Sequence, residues 1–430
     1  QDHYAFAAEL QSGFGVRHDP PFLDLEPETN DSMRTNRYKL NPWTSALVAA
    51  GVVTATSTLH AEEAVNPVMT TLSSTTISGY VDTSAIWAID QTGDMRLPGR
   101  TYTGSDKQNG FNLNLVDLVL ERPIDEESTW GAGYRAEFLF GPDAKYLGSN
   151  TAFGFNDTSD FAIKNAYIDL RAPVGNGINF KIGLWDTIVG YEVFASGANP
   201  NYSRSYGFFI EPFVHTGILA SYDVNEIVSF NAGVADNGFG SDLAAPGDGG
   251  NKINYRGASN GELSYLGNVA LTAPESAGFL EGGQLVGGIV YSPQSNGFQD
   301  FYNFYAGASL PLPITGLSLG ASYDYMGGQD TIHANAFAGS LVWQASEKLM
   351  LAGRLEYAEG TAGTWGTAGK PRDEFLGLTA TVDYSLWENT ITRLEFRWDR
   401  DLAGGPQAFG TVTNPSENAY MLALNVIYNF

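Results

Sequence analysis

The chain closes on Asn425-Val426-Ile427-Tyr428-Asn429-Phe430, and counting back in twos gives Phe430, Tyr428, Val426, Leu424, Leu422 and Tyr420. The alternate positions, Asn429, Ile427, Asn425, Ala423, Met421 and Ala419, are smaller and more polar. Period-two alternation with one apolar face predicts a β-strand. Aromatics near both ends with aliphatics between suit a strand that faces lipid, because Tyr and Phe settle at the two interfaces. Taken alone, the segment would also serve as the last strand of a soluble sheet.

Composition narrows the choice. The 430 residues include no cysteine, which excludes disulfide staples, thiolate chemistry and cysteine-based zinc sites. With 50 glycines, 22 tyrosines and 25 phenylalanines, the chain is rich in turn formers and in girdle residues. No stretch approaches the roughly 20 apolar residues of a membrane helix. A transmembrane barrel is still allowed, since each strand shows lipid only every second side chain. A net charge of −25 argues against nucleic acid as a partner, which needs a basic surface.

Residues 33–61 read as a secretory signal. Arg34, Arg37 and Lys39 form a basic start, residues 46–53 (ALVAAGVV) a short apolar core, and Ala61 a small residue before Glu62-Glu63, where cleavage is expected. Residues 1–32 are acidic, lack periodicity and precede Met33, and are read as an upstream extension that is not native. Residues 1–61 hold seven acidic and four basic residues, so residues 62–430 carry a net charge of −22. Residues 62–75 are expected to be a periplasmic segment and 76–430 the folded domain.

That domain reads as sixteen strands: 76–89, 110–121, 130–140, 161–171, 177–185, 213–223, 226–236, 262–272, 282–291, 301–310, 315–326, 334–344, 347–358, 374–385, 388–399 and 418–430. Connections are expected to alternate, long from the first strand to the second, then short, and so on to the end of the chain. Short ones carry turn residues, as in Pro173-Val174-Gly175-Asn176-Gly177 and Asp223-Val224-Asn225-Glu226. An even count with short turns on one rim and long loops on the other predicts an all-β fold, an antiparallel transmembrane β-barrel with periplasmic termini. About eleven residues at ~3.3 Å each, tilted by about 40°, rise roughly 27 Å, close to the apolar band of such barrels.

The faces sort by chemistry. Leu394, Phe396 and Trp398 share one side of their strand; Arg393, Glu395, Arg397 and Asp399 share the other. Arg135 and Glu137 oppose Tyr134, Ala136, Phe138 and Phe140 in the same way. A charge facing lipid at mid-membrane costs up to about 2–4 kcal/mol, so the charged sides should face a wet lumen. The segment 110–121 resists orientation, because Leu113 and Leu115 lie on one face and Leu118 and Leu120 on the other.

Several segments resemble the β-barrel porin family described as OmpL-like. They include Ile77-Ser78-Gly79-Tyr80-Val81-Asp82, Phe138-Leu139-Phe140-Gly141-Pro142-Asp143-Ala144, Ala172-Pro173-Val174-Gly175-Asn176-Gly177, and Asn201-Tyr202-Ser203-Arg204-Ser205 followed by Pro212-Phe213-Val214-His215-Thr216-Gly217. The resemblance is densest over 76–236 and implies an outer-membrane barrel acting as a channel. The end of the chain resembles the insertion signal of such barrels, which would make Tyr428 and Phe430 contacts of the barrel-assembly machinery.

The third long connection, 186–212, is unusually aromatic and contains Glu192, Tyr202, Arg204 and Glu211. By analogy with general porins it should fold inward, and these four residues are the candidates for a pore constriction. Lumen-wall candidates are Arg135, Glu137, Asp169, Arg171, Lys181, Asp324, Arg354, Glu356, Asp383, Arg393, Glu395 and Arg397. Expected partners are outer-membrane lipids and small hydrophilic solutes or ions, with weak cation preference from the acidic mouth. A homotrimer is the usual state of sixteen-stranded porins. No cofactor, metal or enzymatic role is expected: His215 and His333 belong to no catalytic motif. The alternative from another class is a non-conducting barrel serving as anchor or adhesin through its long loops.

Overall fold

The computed structural model describes residues 75–89, 107, 109–124, 130–147, 160–236, 263–295, 299–328, 332–365, 370–405, 407–411 and 414–430. The expected leader and upstream extension lie outside the described residues. Strands β1 (Thr76–Ile89), β2 (Gly110–Arg122), β3 (Gly131–Phe140), β4 (Phe161–Ala172) and β5 (Ile178–Asp186) lead to an irregular segment and a short helix α1 (Tyr206–Ile210). There follow β6 (Val214–Asp223), β7 (Val228–Ala235), β8 (Ser264–Thr272), β9 (Gln284–Ser295), β10 (Gln299–Pro311), β11 (Leu317–Gly328) and β12 (His333–Gln344). β13 (Leu349–Thr361), β14 (Arg372–Tyr384) and β15 (Thr390–Asp401) precede a small hairpin, β16 (Phe409–Thr411) and β17 (Asn414–Ser416), and the final strand β18 (Asn418–Asn429).

β1 to β15 and β18 form one closed antiparallel barrel of sixteen strands. Closure comes from the terminal segment: β18 pairs with β15 on one side and β1 on the other, in a register running from Tyr80 opposite Asn429 to Ile89 opposite Tyr420. Gly79 and Phe430 exchange both amide–carbonyl hydrogen bonds at 3.0 Å. Glycine is required there, because a β-carbon at Gly79 would collide with the Asp117 carbonyl oxygen.

The chemistry of the faces is inverted relative to a soluble domain. On β15, Leu394 is 48% exposed on the outside, while Arg393, Glu395 and Arg397 are buried inside. On β18, Leu424 and Tyr428 face out and Asn425 is buried within. Backbone pairing around a closed ring leaves an outward apolar surface with no strand edge, which is the condition for a sheet in hydrocarbon.

Two irregularities explain what the periodicity left open. The β1–β2 register shifts between Asp82 and Thr83, opposite Leu115 and Leu113. Asn114 is the extra residue, so Asn114 and Leu115 both point inward. Phe111 and Leu113 therefore face outward, Leu115 is buried inside, and Val116, Leu118 and Leu120 return to the outer face. A bulge reverses side-chain parity, and that is why both faces of this strand carry leucines. A second shift between Glu137 and Phe138 turns Lys164 and Asn165 inward together.

The alternation of loop lengths does not hold throughout. β9 and β10 extend to Ser295 and Gln299, leaving three intervening residues where a long loop was expected. Stacking of Tyr291 on Tyr302, with centroids 5.0 Å apart, carries the pairing onward. The β11–β12 connection is likewise short, at four residues, and the β8–β9 turn is enlarged by a 3-10 helix over Glu275–Leu280. The small β16–β17 hairpin was not anticipated.

Leu394→Arg places a charge in the middle of the outer face. Unfolding measured in lipid vesicles should show a loss of about 2–4 kcal/mol; unchanged stability would mean that this face does not meet hydrocarbon.

Candidate functional site

The connection between β5 and β6 lies inside the barrel. It starts with an apolar stretch: Ile188 and Val189 pack with Trp185 against Leu219, Leu266, Val286 and Val290 on the inner wall. Asn268 donates to the Ile188 carbonyl at 2.7 Å. A 3-10 turn at Ser196–Ala198 follows, close enough to β15 and β18 that a β-carbon on Gly197 would lie 3.2 Å from Ile391 and 3.5 Å from Ile427. The segment then climbs to α1, whose N-cap Ser205 accepts from the Phe208 amide at 3.3 Å. Asn303 finally holds the Ile210 carbonyl at 2.8 Å before the chain returns to β6.

Ionic groups of β13 and β15 hold the far side. Glu395 accepts from the Tyr202 amide at 2.6 Å and the Ser203 amide at 2.9 Å. Arg393 donates to the carbonyls of Ser196 at 3.1 Å and Asn199 at 3.0 Å. Arg397 donates to the Arg204 carbonyl at 2.6 Å and pairs with Glu356 at 2.9 Å and Asp399 at 2.8 Å. Glu356 in turn accepts from the Tyr206 amide at 2.7 Å. The side chains of Arg393, Glu395 and Arg397 therefore serve the loop backbone, whose carbonyls and amides would otherwise be buried unpaired, at about 1–3 kcal/mol each.

The four constriction candidates all lie at 8% exposure or below. Glu192 pairs with Arg354 at 2.6 Å and accepts from the Ser205 amide at 2.6 Å. Arg204 braces the loop from within, donating to Val193 at 3.0 Å and to Phe194 and Tyr202 at 2.9 Å, with its guanidinium over the Phe208 ring. Tyr202 packs among Ile86, Met421 and Ala423, and its hydroxyl reaches Ser84 at 3.2 Å. Glu211 meets Asp324 of β11. Arg204, Arg354, Arg393 and Arg397 are matched in number by Glu192, Glu356, Glu395 and Asp399, and the buried Glu211 and Asp324 add two further carboxyls. Aromatic stacking closes its upper side, where Tyr206 lies parallel to Phe375 at 5.2 Å and edge-on to Trp365 at 5.9 Å.

The remaining wall candidates divide in two. Asp383 stands beside Arg393 in the β14–β15 register, within the packed region. Arg135, Glu137, Asp169, Arg171 and Lys181 form a separate charged strip on β3 to β5. Arg135 bridges Glu121 at 2.5 Å and Glu137 at 2.8 Å, and Lys164 bridges Glu137 at 3.1 Å and Asp186 at 2.8 Å. Lys181 stands opposite Asp169 with its ammonium 5.0 Å over the Tyr167 ring. Arg171 donates to Asn179 at 3.0 Å. Arg135 and Asp186 keep 24% and 23% side-chain exposure, more than any charge that holds the loop.

Sequence reasoning missed Asn268 and Asn303, which hold the loop at its two ends, and Lys107, which pairs with Asp143 at 2.8 Å beside Tyr202. Inward parity was the available signal for the two asparagines; nothing in the sequence marks Lys107. His215 is fully buried between Trp185 and Thr187, whereas His333 is exposed at the start of β12 and bonded to Thr361.

Comparison with curated protein sequences gives no match. Among solved structures, the barrel is similar to the high-pH structure of Pseudomonas putida OprB, with a TM-score of 0.57 and 9% identity over 84% of this chain and 96% of that one. It is similar to the anion-selective porin from Comamonas acidovorans, with a TM-score of 0.53 and 14% identity over 83% and 99% of the two chains. The outer membrane channel DcaP of Acinetobacter baumannii gives 0.52 and 9% over 83% and 97%. At such identities the likeness is one of fold. The family model described as "Putative beta-barrel porin-2, OmpL-like" matches residues 74–430, which spans the whole barrel, and the chain belongs to that family.

Proposed function

We propose that this protein is a passive diffusion channel of a Gram-negative outer membrane for small hydrophilic solutes or ions, exported by the leader at 33–61 and inserted through a terminal signal that includes Tyr428 and Phe430. The observation that carries the reading is a closed sixteen-strand barrel with a polar inner wall and a loop packed within it. Sixteen strands enclose enough width for water unless a loop fills it. Membership of a porin family supports the location, as do an anion-selective porin and an outer membrane channel among its structural neighbours.

In this reading Glu192, Tyr202, Arg204 and Glu211 set the constriction by fixing the loop's path. The charges a solute meets are the partly exposed ones of the β3–β5 strip, with Arg135, Lys181 and Asp169 in its middle. Weak cation preference follows from the acidic surplus of residues 62–430. The breadth of the loop's contacts, from β8 through β15 and on to β18, favours as a second reading a non-conducting barrel that acts through its external segments. A homotrimer suits a channel of this strand number.

The deciding measurement is conductance of the refolded protein across a planar bilayer. Discrete, long-lived steps in simple salt are expected; a folded barrel that inserts without steps would select the second reading. In a salt gradient the reversal potential should show modest cation preference, and anion preference would refute that part. Arg393→Ala combined with Glu395→Ala frees the far side of the loop and should raise single-channel conductance and its noise, whereas conductance equal to wild type would remove the loop from the path.

A further inference from the structure

Glu211 and Asp324 meet where the returning end of the loop rests on β10 and β11. Both are buried, at 6% and 3% exposure, and they share a hydrogen bond. Among the described residues no basic group faces either one; the next charge is the carboxylate of Glu192, which Arg354 already engages. The loop is shaped around the pair. A β-carbon on Gly190, at φ +113, would collide with Glu211 Oε2, and one on Gly207 with Asp324 Oδ2. The burial of Glu211, and then the neighbouring carboxyl, push its pKa well above the usual carboxylate range.

Further oxygens lie on neighbouring residues of β10 and β11. Asn303, 4% exposed, uses its Nδ2 to hold the Ile210 carbonyl next to Glu211, and its Oδ1 receives no hydrogen bond. Asp324 Oδ1 is equally unpaired, and Ser322 bonds to Asp324. Tyr305 lies directly across from Asp324 in the β10–β11 register. Two adjoining buried carboxyls cannot both be charged without a counter-charge. One shared proton supplies a single hydrogen bond and leaves the amide oxygen and Asp324 Oδ1 unsatisfied. A hard cation that takes six to eight oxygens would satisfy them all.

We propose that Glu211 and Asp324, with Asn303 Oδ1, bind a divalent cation of the calcium type that pins the returning end of the loop to β10 and β11. No group of three or more His, Cys, Asp or Glu side chains is arranged for a metal among the described residues. This site has two carboxylates and draws the rest of its ligands from neutral oxygens. Tyr191, Tyr305 and Glu192 are the other titratable groups packed around it.

The test is calcium binding by equilibrium dialysis to the full chain refolded in detergent at pH 8, with wild type compared to the Glu211→Gln, Asp324→Asn double variant. The acidic external segments contribute equally to both proteins, so the expected result is a loss of one bound calcium per chain in the variant. Equal stoichiometry, or no binding by wild type, overturns the proposal and leaves a shared proton at the pair. Should the double variant fail to fold, Asn303→Ala keeps both carboxylates: weaker binding at the same site supports the assignment, and unchanged affinity overturns it.

Discussion

Every strand of this barrel has two neighbours only because β18 pairs with β1. An open sheet of the same strands would leave two rows of unpaired amides and carbonyls, and in hydrocarbon each such group costs several kcal/mol. The exchange of hydrogen bonds between Gly79 and Phe430 completes the ring where β18 ends. Once closed, the ring has an inside and an outside, and period-two alternation then sorts leucine and phenylalanine outward and arginine and glutamate inward without further instruction.

An interior so rich in charge needs partners, and the β5–β6 loop supplies them. Its backbone offers the carbonyls that Arg393 and Arg397 fill and the amides that Glu395 and Glu356 accept. Breaking one member of such a buried set leaves its partner charged and alone, which costs about 3–5 kcal/mol. The loop is thus as firmly placed as a strand, although it has almost no regular structure of its own.

The strand number, the orientation of most faces and the role of the last strand were legible in the sequence, because lipid outside and polar groups inside impose opposite chemistry on alternate residues. Leu113 to Leu120 could not be oriented: a single inserted residue, Asn114, reverses parity, and no composition rule marks it. The extended β9–β10 hairpin was hidden for a related reason, since cross-strand stacking of Tyr291 and Tyr302 is a pairing property and not a local one. That the third loop carries Glu192, Tyr202, Arg204 and Glu211 was readable. That Arg354, Arg393 and Glu395 would reach its backbone was not, because a main-chain acceptor has no side-chain signature. The neutral tethers Asn268 and Asn303 carry no charge to draw the eye.

The tethers also impose an order on assembly. Glu192 meets Arg354 across 162 positions, and Tyr202 meets Glu395 across 193. The loop is completed before β6 begins, yet its seat does not exist until β13 and β15 are in place. Contacts so distant in the chain are entropically expensive to nucleate and form late. A barrel caught before its last strands pair therefore carries this aromatic loop unsheltered, and the same charges that hold it in the finished protein leave the nascent one with an interval in which a large apolar segment has nowhere to go.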